Sequence, residues 1–340
     1  MQYDVLILGR GIAGAVLAEA CRQRGLSVHV FDRPQAGSAS LAAGGAVNPV
    51  VLRRMHPCWR AAALMPVART FFGQWQQRLG IRCWHETPLV HVFSGPDDVQ
   101  RWNHALGDAR AAPFITARAE PEIHQAPFHA PHGYGTVTDS AWLDIPQLLD
   151  AQRTELLGER ALTETLVGGG DVVADPHGVQ IGDVRGRWVV DCTGPFHHGP
   201  GLSLVKGESL TVRIPGLALS RIVHGGIGLL PIGGGLFRVG STFKWTDTWE
   251  GTTEEARDWM LARLAEFLGL PAEVVDHHAG VRPAALDRKP IIGQTGPRQA
   301  MINGLGARGV MQAPWCAGHL LDHLMAGHPL DPEVDLARFR

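Results

Sequence analysis

Three glycines at a fixed spacing near the start of the chain could hold a phosphate group. Gly9, Gly11 and Gly14 follow a short apolar run and open a segment whose apolar residues recur at helical spacing. The first glycine permits a tight turn, the second lets the backbone approach a pyrophosphate, and the third lets helix and strand pack closely. Asp32 ends the next apolar run, where its carboxylate can accept hydrogen bonds from a ribose diol. This pattern predicts a dinucleotide-binding unit of strand, helix and strand.

The segment after Asp32 favours FAD over NAD as that dinucleotide. Residues 34–49 are mostly small, and the alternation of strand and helix that would continue a parallel sheet stops there. Strand-like patterns of a dinucleotide domain return only near residues 161–194. Such interleaving is typical of flavoproteins, in which several distant segments surround an extended FAD. We therefore predict FAD as the cofactor.

The elements that must position these residues follow from the spacing of the apolar side chains. The predicted helices cover residues 12–21, 60–79 with a possible kink at Pro66, 143–157, a segment opened by the capping box Thr252-x-x-Glu255, and 314–326. The predicted strands cover residues 5–8, 27–31, 81–95, 161–167, 172–181, 188–194 and several segments within 203–243. The first strand, helix and strand form a complete βαβ opening.

Composition and charge argue against several classes of function. The chain of 340 residues has 31 Lys and Arg against 33 Asp and Glu, so no global basic field attracts nucleic acid or an anionic membrane. Its five cysteines are widely spaced and lack a Cys-x-x-Cys motif, which argues against a disulfide framework. Adjacent histidine pairs such as His197-His198 point opposite ways on a strand, so we expect no metal site. Without a signal peptide or a long apolar run, we expect a cytoplasmic protein with no membrane span.

Four later segments carry further motifs. Residues 40–45 are Ser-Leu-Ala-Ala-Gly-Gly, and residues 190–194 form a strand that ends in Thr-Gly. Residues 280–293 have the form G-x-R-P followed by D-x-x-P-x-x-G, and residues 304–309 are Gly-Leu-Gly-Ala-Arg-Gly. Together with the opening glycines, these motifs resemble the FAD-dependent amine and amino-acid oxidase superfamily, which includes D-amino-acid oxidase, glycine oxidase and sarcosine oxidase. The resemblance covers nearly the whole chain.

The resemblance implies an α/β fold with a discontinuous FAD-binding domain. A Rossmann-like FAD-binding domain would consist of residues 1–80, 140–200 and 280–340. It would be interleaved with a mainly antiparallel β-sheet substrate domain, built from residues 81–139 and 201–279, in the arrangement of glutathione reductase and D-amino-acid oxidase. The implied FAD-binding residues are Gly9, Gly11, Ile12, Ala13, Gly14, Asp32, Arg33, Ser40, Ala42, Ala43, Gly44, Gly45, Val167, Thr193, Gly194, Gly304, Gly306, Arg308, Gly309, Val310 and Met311.

The resemblance also implies two catalytic residues. In glycine and D-amino-acid oxidases the arginine of G-x-R-P binds the substrate carboxylate, and Arg282 is the matching residue. Arg308 matches an arginine near the flavin. One departure concerns an active-site tyrosine of those oxidases, because Gly228 stands where the tyrosine is expected before Pro231. We therefore expect a pocket different from that of glycine oxidase.

The expected activity is oxidation of a C–N bond in a small-molecule amine or amino acid, with oxygen or another electron acceptor as the second substrate. One alternative is an FAD-dependent dehydrogenase of a hydroxy acid or another small molecule that uses a quinone or protein acceptor. A second is a tRNA-modifying oxidase, since residues 304–309 are also similar to the enzyme that trims a carboxymethylaminomethyl group from wobble uridine. A third is a flavin-binding partner without turnover. The net charge of −2 speaks against tRNA. The oligomeric state stays open.

Overall fold

Two large β-sheets and the helices packed on them form most of the computed structural model, which describes residues 2–116 and 127–339. The helices are α1 (Ile12–Gln23), α2 (Ala39–Ala42), α3 (Ala61–Leu79), α4 (Pro96–Leu106), α5 (Ile145–Gly158), α6 (Glu254–Phe267) and α7 (Gly309–Ala326). Short 3₁₀ turns lie at Ala112–Phe114, Gly169–Asp171, Gly194–Phe196, Gly306–Arg308 and Leu336–Phe339. The strands are β1 (Gln2–Leu8), β2 (Val28–Phe31), β3 (Gly37–Ser38), β4 (Ala46–Val47), β5 (Val50–Val51), β6 (His56–Pro57), β7 (Trp84–Glu86), β8 (Leu89–Val92), β9 (Ile115–Thr116), β10 (Tyr134–Val137), β11 (Ala141–Leu143), β12 (Leu162–Thr163), β13 (Val172–Asp175), β14 (Gly178–Ile181), β15 (Val184–Asp191), β16 (Leu202–Arg213), β17 (Ile222–His224), β18 (Gly228–Gly233), β19 (Leu236–Gly240), β20 (Glu273–Ala285), β21 (Ile291–Gly296) and β22 (Gln299–Asn303).

The first sheet is parallel in its centre, with the strand order β12, β2, β1, β15, β22. The hairpin of β13 and β14 pairs antiparallel with the first half of β15, and β21 pairs antiparallel with β22. Helix α1 connects β1 to the parallel strand β2, as the βαβ prediction requires. The carboxyl ends of β1, β2 and β15 therefore meet at one edge, where open α/β sheets bind their ligands.

The second sheet has the order β3, β20, β16, β19, β18, β17, β8, β10, β9, and it is antiparallel except at the pairs β3–β20 and β17–β8. Alternate side chains of its central strands pack under α6; this apolar cluster includes Leu210, Val212, Phe237, Val239, Met260, Leu264 and Phe267. The opposite face is turned towards residues 39–46, because the Ser209 hydroxyl donates to the carbonyl oxygen of Ala42 at 3.0 Å. The mixed α/β architecture that the sequence predicts is confirmed.

Helices α1, α3 and α7 pack together beside the first sheet and enclose the largest apolar cluster. Trp75 and Phe72 of α3 are fully buried there with stacked rings, so α3 is held by aromatic packing in spite of Pro66 in its interior. Small pieces of strand complete this region. The strands β4, β11 and β7 form a three-stranded sheet, and β5 and β6 form a two-stranded one.

The long periodic elements lie where the sequence predicts them, while several boundaries differ. The capping box Thr252-x-x-Glu255 is one residue early, since Thr253 caps α6 and its hydroxyl accepts from the N–H of Ala256 at 3.3 Å. The last helix begins at Gly309, before Pro314, because a 3₁₀ turn already leads into it. The predicted strand at 161–167 shrinks to β12, and the one at 172–181 is a hairpin.

Along the chain, strands of the first sheet alternate with strands of the second. Strands of the first sheet lie at 2–8, 28–31, 162–191 and 291–303, and strands of the second lie in the intervals between these. Strand β20 runs through residue 280, the predicted start of the last FAD-binding segment. Residues 117–126, inside the predicted substrate segment 81–139, lie outside the described residues. The exact domain boundaries stay predictions.

Candidate active site

The loop between β1 and α1 has glycines where side chains would collide with backbone. Gly9 has a φ of +88°, and a Cβ there would lie 2.8 Å from the carbonyl oxygen of Cys192. A Cβ on Gly14 would lie 1.9 Å from the carbonyl oxygen of Gly9. The Ser40 hydroxyl accepts a hydrogen bond from the N–H of Ile12 at 2.9 Å. This packing brings the loop and the N-terminus of α1 together, and a helix N-terminus favours an anion.

Asp32 follows β2 and lies beside this loop. Its Oδ1 accepts a hydrogen bond from the backbone N–H of Arg10 at 2.9 Å, and its Oδ2 lies 3.8 Å from Nε of the same arginine. Burial raises the pKa of Asp32 in spite of these contacts. The guanidinium of Arg10 donates to the carbonyl oxygen of Leu149, and its buried Nε has no hydrogen-bond partner among the described residues. A carboxylate and a buried donor thus face the same crevice.

The end of β15 is ordered by a hydrogen-bonded acid. Oδ1 of Asp191 accepts from the N–H of Thr193 at 2.8 Å and from its hydroxyl at 2.6 Å, while Oδ2 lies 2.7 Å from Nδ1 of His197. The hydrogen bond to Asp191 raises the pKa of His197. Burial alone would raise the pKa of Asp191, but the hydrogen bonds from His197 and Thr193 lower it. This cluster fixes the turn that begins at Gly194.

A buried amide joins that turn to the end of β22. Nδ2 of Asn303 donates to the carbonyl oxygen of Gly194 at 2.9 Å, and Oδ1 accepts from the N–H of Gly304 at 2.9 Å. Asn303 is 2% exposed and also lines the crevice. The motif search did not single it out, although an Asn-Gly pair at the end of an apolar run is a turn signal.

These segments enclose a cavity of about 730 Å³ at the carboxyl edge of the first sheet. The predicted FAD-binding residues that line it are Gly9, Gly11, Ile12, Ala13, Asp32, Arg33, Ser40, Val167, Thr193, Gly194, Gly306 and Gly309. We call it the large cavity.

A second cavity of about 220 Å³ lies against the face of the second sheet that is turned away from α6. The predicted site residues that line this small cavity are Ile12, Ser40, Ala42, Ala43, Gly44, Gly45, Arg282, Gly306, Gly309 and Val310. Because Ile12, Ser40 and Gly306 line both, the two cavities adjoin. Together they lead from the phosphate-binding loop to the surface of the second sheet.

Arg282 is the cation that the sequence predicts for this place. Its Nη1 donates to the carbonyl oxygen of Thr242 at 3.1 Å, and its Nη2 donates to the hydroxyl of Ser241 at 2.6 Å. The guanidinium lies 4.5 Å from the ring centre of Phe243 and packs on the bare backbone of Gly207. Burial lowers its pKa to about 10, so it stays charged at neutral pH. None of these contacts is with a carboxylate.

A family model decides the assignment. The model, which is described as DAO, FAD dependent oxidoreductase, matches residues 4–323. This range includes the glycine-containing loops that line the two cavities and most of helix α7. This chain belongs to the FAD dependent oxidoreductase family. Its cofactor is FAD, and the superfamily resemblance seen in the motifs is confirmed.

Individual members of the family are distant from this chain. Glycine oxidase of Pseudomonas aeruginosa is 27% identical, with 100% of this chain and 98% of that protein covered. The tRNA 5-methylaminomethyl-2-thiouridine biosynthesis bifunctional protein MnmC of Paracidovorax citrulli is 26% identical, with 98% of this chain but 59% of that protein covered. The crystal structure of glycine oxidase from Bacillus cereus has a TM-score of 0.79 at 21% identity and covers 96% of both chains. That likeness shows the fold.

The residues around the large cavity fit FAD. The pyrophosphate needs backbone donors without side chains in the way, which the loop from Gly9 to Gly14 and the start of α1 supply. A ribose diol needs an acceptor, and Asp32 supplies a carboxylate at the cavity wall. Residues 42–45, which are all small, form part of the wall of the adjoining small cavity. These assignments of single residues stay predictions.

Four predicted residues line neither cavity. Gly14 packs on Gly9, Gly304 has a φ of +72° at the turn after β22, and Met311 is buried in the helix core. Nη1 of Arg308 donates to the carbonyl oxygen of Asn48 at 2.7 Å, so the arginine ties α7 to the segment after the small residues. Their predicted roles towards FAD or substrate stay predictions.

The small cavity also contains features that the motifs do not reveal. Gly228 of β18 lines it, and a Cβ at this position would lie 2.9 Å from the carbonyl oxygen of Gly240, so no side chain covers the backbone at this part of the cavity wall. Arg238 of the neighbouring strand β19 lines it as well, and the sequence analysis did not single it out. The available signal was one charged residue between Phe237 and Val239 in an otherwise apolar strand.

No three His, Cys, Asp or Glu side chains come together as a metal site in the part of the chain that the structure describes. His319 and His323 lie one turn apart on α7, a zinc-like spacing that the sequence reading overlooked. The first accepts from the N–H of Asp331 at 2.9 Å, and the second lies 2.7 Å from the carbonyl oxygen of His328. Within the described ranges, no helix is both long and apolar enough to cross a bilayer. The five cysteines are free and buried.

Proposed function

We propose that this protein oxidises the C–N bond of a small amine or amino acid whose carboxylate binds Arg282. The observation that carries the proposal is a buried, charged guanidinium on the wall of a cavity that adjoins the FAD-binding crevice, with no carboxylate partner among the residues that the structure describes. A planar guanidinium presents paired N–H donors to the two oxygens of a carboxylate. Leaving such a cation unpaired is costly, so an anionic ligand is favoured there.

The chain's residues would bind, orient and shield the substrate. Arg282 would hold the carboxylate, and the ring of Phe243 packs against its guanidinium. Glu208, which also lines the small cavity, pairs with Lys206 at 2.9 Å and accepts from the N–H of Thr253 at 2.7 Å, so it does not serve as a base. The amine would therefore arrive uncharged. When bound, FAD would supply a hydride acceptor for the carbon next to the nitrogen, and hydrolysis of the resulting imine by water would give a carbonyl compound and ammonia or an amine.

The test is anaerobic reduction of the FAD-loaded protein by a panel of amino acids and amines, followed by admission of air. We expect bleaching of the flavin absorbance with at least one amino acid, and hydrogen peroxide on re-aeration if oxygen is the acceptor. Bleaching without peroxide would indicate a dehydrogenase with another acceptor. Reduction by hydroxy acids alone would replace the amine assignment, and no reduction by any compound would favour a flavin-binding partner without turnover.

Arg282→Met tests the carboxylate contact directly. We expect the KM for the amino acid that reduces the flavin to rise about tenfold to a hundredfold, because a charge-assisted hydrogen bond contributes about 1.5–3 kcal/mol. FAD content should stay the same. The matched control is Arg257→Met, on the exposed side of α6, where the guanidinium pairs with Asp258. An unchanged KM for Arg282→Met would remove Arg282 from the substrate site.

A second candidate is oxidation of a modified uridine in tRNA. It is favoured by the curated relatives, of which proteins from three organisms carry the name of the bifunctional tRNA enzyme at 25–26% identity. This chain spans about three-fifths of the length of the one from Paracidovorax citrulli. Anaerobic reduction of the flavin by purified bulk tRNA, but not by tRNA digested to nucleosides, would favour this candidate over a free amino acid.

A further inference from the structure

Arg238 places a second cation in the small cavity. It lies on β19 between Phe237 and Val239, whose side chains belong to the apolar cluster under α6. Alternation along a strand turns Arg238 to the opposite face, towards residues 39–46. Its Cγ lies 3.1 Å from the position that a Cβ on Gly44 would take, so the glycine makes room for this side chain.

The guanidinium of Arg238 is poorly satisfied by the protein. Nη1 lies 3.4 Å from the hydroxyl of Ser209, and the buried Nε has no hydrogen-bond partner among the described residues. Asp144 and Asp276 attract it without forming an ion pair, and His278 also faces it. Burial lowers the pKa of Arg238. A buried cation with unused donors is expensive unless an anion completes it.

Arg238 and Arg282 share one cavity wall. The titratable side chains among the residues lining the small cavity are these two arginines and Glu208, whose carboxylate is bound by Lys206 and Thr253. The cavity therefore carries two positive charges, neither of which has an ion-pair partner among the described residues. One carboxylate on the substrate balances Arg282 alone. Gly228 and Leu230 of β18 line the same wall, and Leu230 pairs with Arg238 across the sheet.

We propose that Arg238 is a specificity-determining residue that binds a second carboxylate, so that the preferred substrates are small amines bearing two carboxylate groups. The proposal rests on the proposed function, because it assigns the substrate class of the same site. Arg282 and Arg238 would hold the two ends of the molecule, and the nitrogen and the carbon to be oxidised would lie between them. Monocarboxylic amino acids would leave Arg238 unpaired and bind more weakly.

The test is equilibrium binding of unreactive acids to the FAD-loaded protein, followed by changes in flavin absorbance. Succinate and malonate are compared with propionate and acetate, of similar size but with one carboxylate. We expect the wild-type protein to bind at least one dicarboxylate tenfold or more tightly than the monocarboxylates. In Arg238→Met the preference is lost while monocarboxylate affinity stays within about twofold, and in Arg282→Met both affinities fall.

Matched variants separate binding from folding. Arg213→Met removes a guanidinium from the exposed end of the neighbouring strand β16 and should leave both affinities unchanged. Arg238→Lys keeps the charge and should keep part of the preference. If Arg238→Met does not fold, Arg238→Lys is compared with the wild-type protein instead. The preference of the wild-type protein for dicarboxylates over monocarboxylates is measured without any variant.

Several outcomes would overturn the proposal. Equal affinity of the wild-type protein for succinate and propionate would show that no second carboxylate site exists. Equal weakening of both ligands in Arg238→Met would assign Arg238 to the first carboxylate, and loss of FAD with unchanged preference would assign it to the cofactor. The measurement needs no turnover. A dicarboxylate preference that depends on Arg238, in a protein whose flavin no amine reduces, would therefore keep this site while refuting amine oxidation.

Discussion

At the scale of single residues, Asp32 links the cavity wall to cofactor retention. Its carboxylate accepts from the N–H of Arg10 and retains lone pairs for ribose hydroxyls. We expect Asp32→Asn to retain clearly less FAD than the wild-type protein, because the amide replaces an acceptor by a donor. The measurement is the ratio of flavin to protein absorbance after gel filtration. Asp183→Asn, in the exposed turn between β14 and β15, is the matched control. Equal flavin content in all three proteins would contradict the ribose role.

The pair of His197 and Asp191 predicts a pH dependence of stability. The pKa of His197 is raised above its ordinary value of 6.5 by its hydrogen bond to Asp191. Protonated His197 therefore stabilises the folded state fully below pH 6.5, and this contribution disappears as the pH rises through the folded pKa. We expect the Tm advantage of the wild-type protein over His197→Asn to be a few degrees at pH 6 and to shrink towards pH 9. A difference that is constant across this range would show that His197 acts only through packing.

Arg282 and Arg238 show which site residues can be predicted from residue types and motifs alone. Arg282 was predicted because it stands in a motif whose neighbours define its role. Arg238 stands in no motif, and its direction depends on which face of β19 packs under α6. Asn303 was missed for a similar reason, since its amide matters only because the turn at Gly194 comes next to it. Contacts between distant segments are not encoded in local spacing.

At the scale of elements, the close contact of β1 and α1 depends on Gly14. An alanine Cβ would collide with the carbonyl oxygen of Gly9 and lie 3.2 Å from Cβ of Cys192. We expect Gly14→Ala to lower the free energy of unfolding by about 1–3 kcal/mol, the usual effect of overpacking. FAD retention should fall with it, because the phosphate-binding loop must move.

The control for this change is another glycine to alanine substitution within a helix. Gly73 lies in the interior of α3, where an added Cβ would meet nothing within 4 Å. Gly73→Ala should be neutral or stabilising by up to about 1 kcal/mol, since alanine has the higher helix propensity. Thermal unfolding of both variants, followed by circular dichroism, checks the pair. Equal effects of the two substitutions would remove the packing argument.

Long elements with a periodic pattern of apolar residues were predictable, and short elements without such a pattern were not. Helices α3 and α5 each bury one face, and the spacing of their apolar residues predicts that face. Helix α1 is buried on all sides from Ala13 to Cys21, as its nearly continuous run of small and apolar residues allows. For residues 34–49 the sequence indicated only small residues and an end to the alternation of strand and helix, and the structure has α2 and the two-residue strands β3 and β4 there. These strands exist because partners such as β11 and β20 come beside them. Their pairing is a tertiary effect.

At the scale of the whole molecule, FAD joins segments that are far apart in the chain. The large cavity is lined by residues from β1, β2, the turn after β15 and the start of α7. A ligand that binds only the folded state stabilises it by RT ln(1 + [L]/Kd), about 2.7 kcal/mol at a concentration of 100 Kd. We expect FAD at that concentration to raise the Tm of the FAD-stripped protein by about 3–5 °C. NAD at equal concentration is the control, and an equal shift with NAD would contradict selective binding of FAD.

Because strands of the two sheets alternate along the chain, the segments that surround the nucleotide-binding motif are synthesised at different times. Gly9 packs on Cys192 and Ile12 packs on Gly309, so the nucleotide-binding motif contacts residues that are made much later. While the chain emerges from the ribosome, this motif must therefore wait until residue 309 has been made before its surroundings exist. Pairing over such sequence separations is slow, because the loops must close before the contacts form. Capture of the flavin thus follows synthesis of these distant segments, and in cells short of riboflavin we expect the nascent protein to remain exposed to chaperones and proteases for longer.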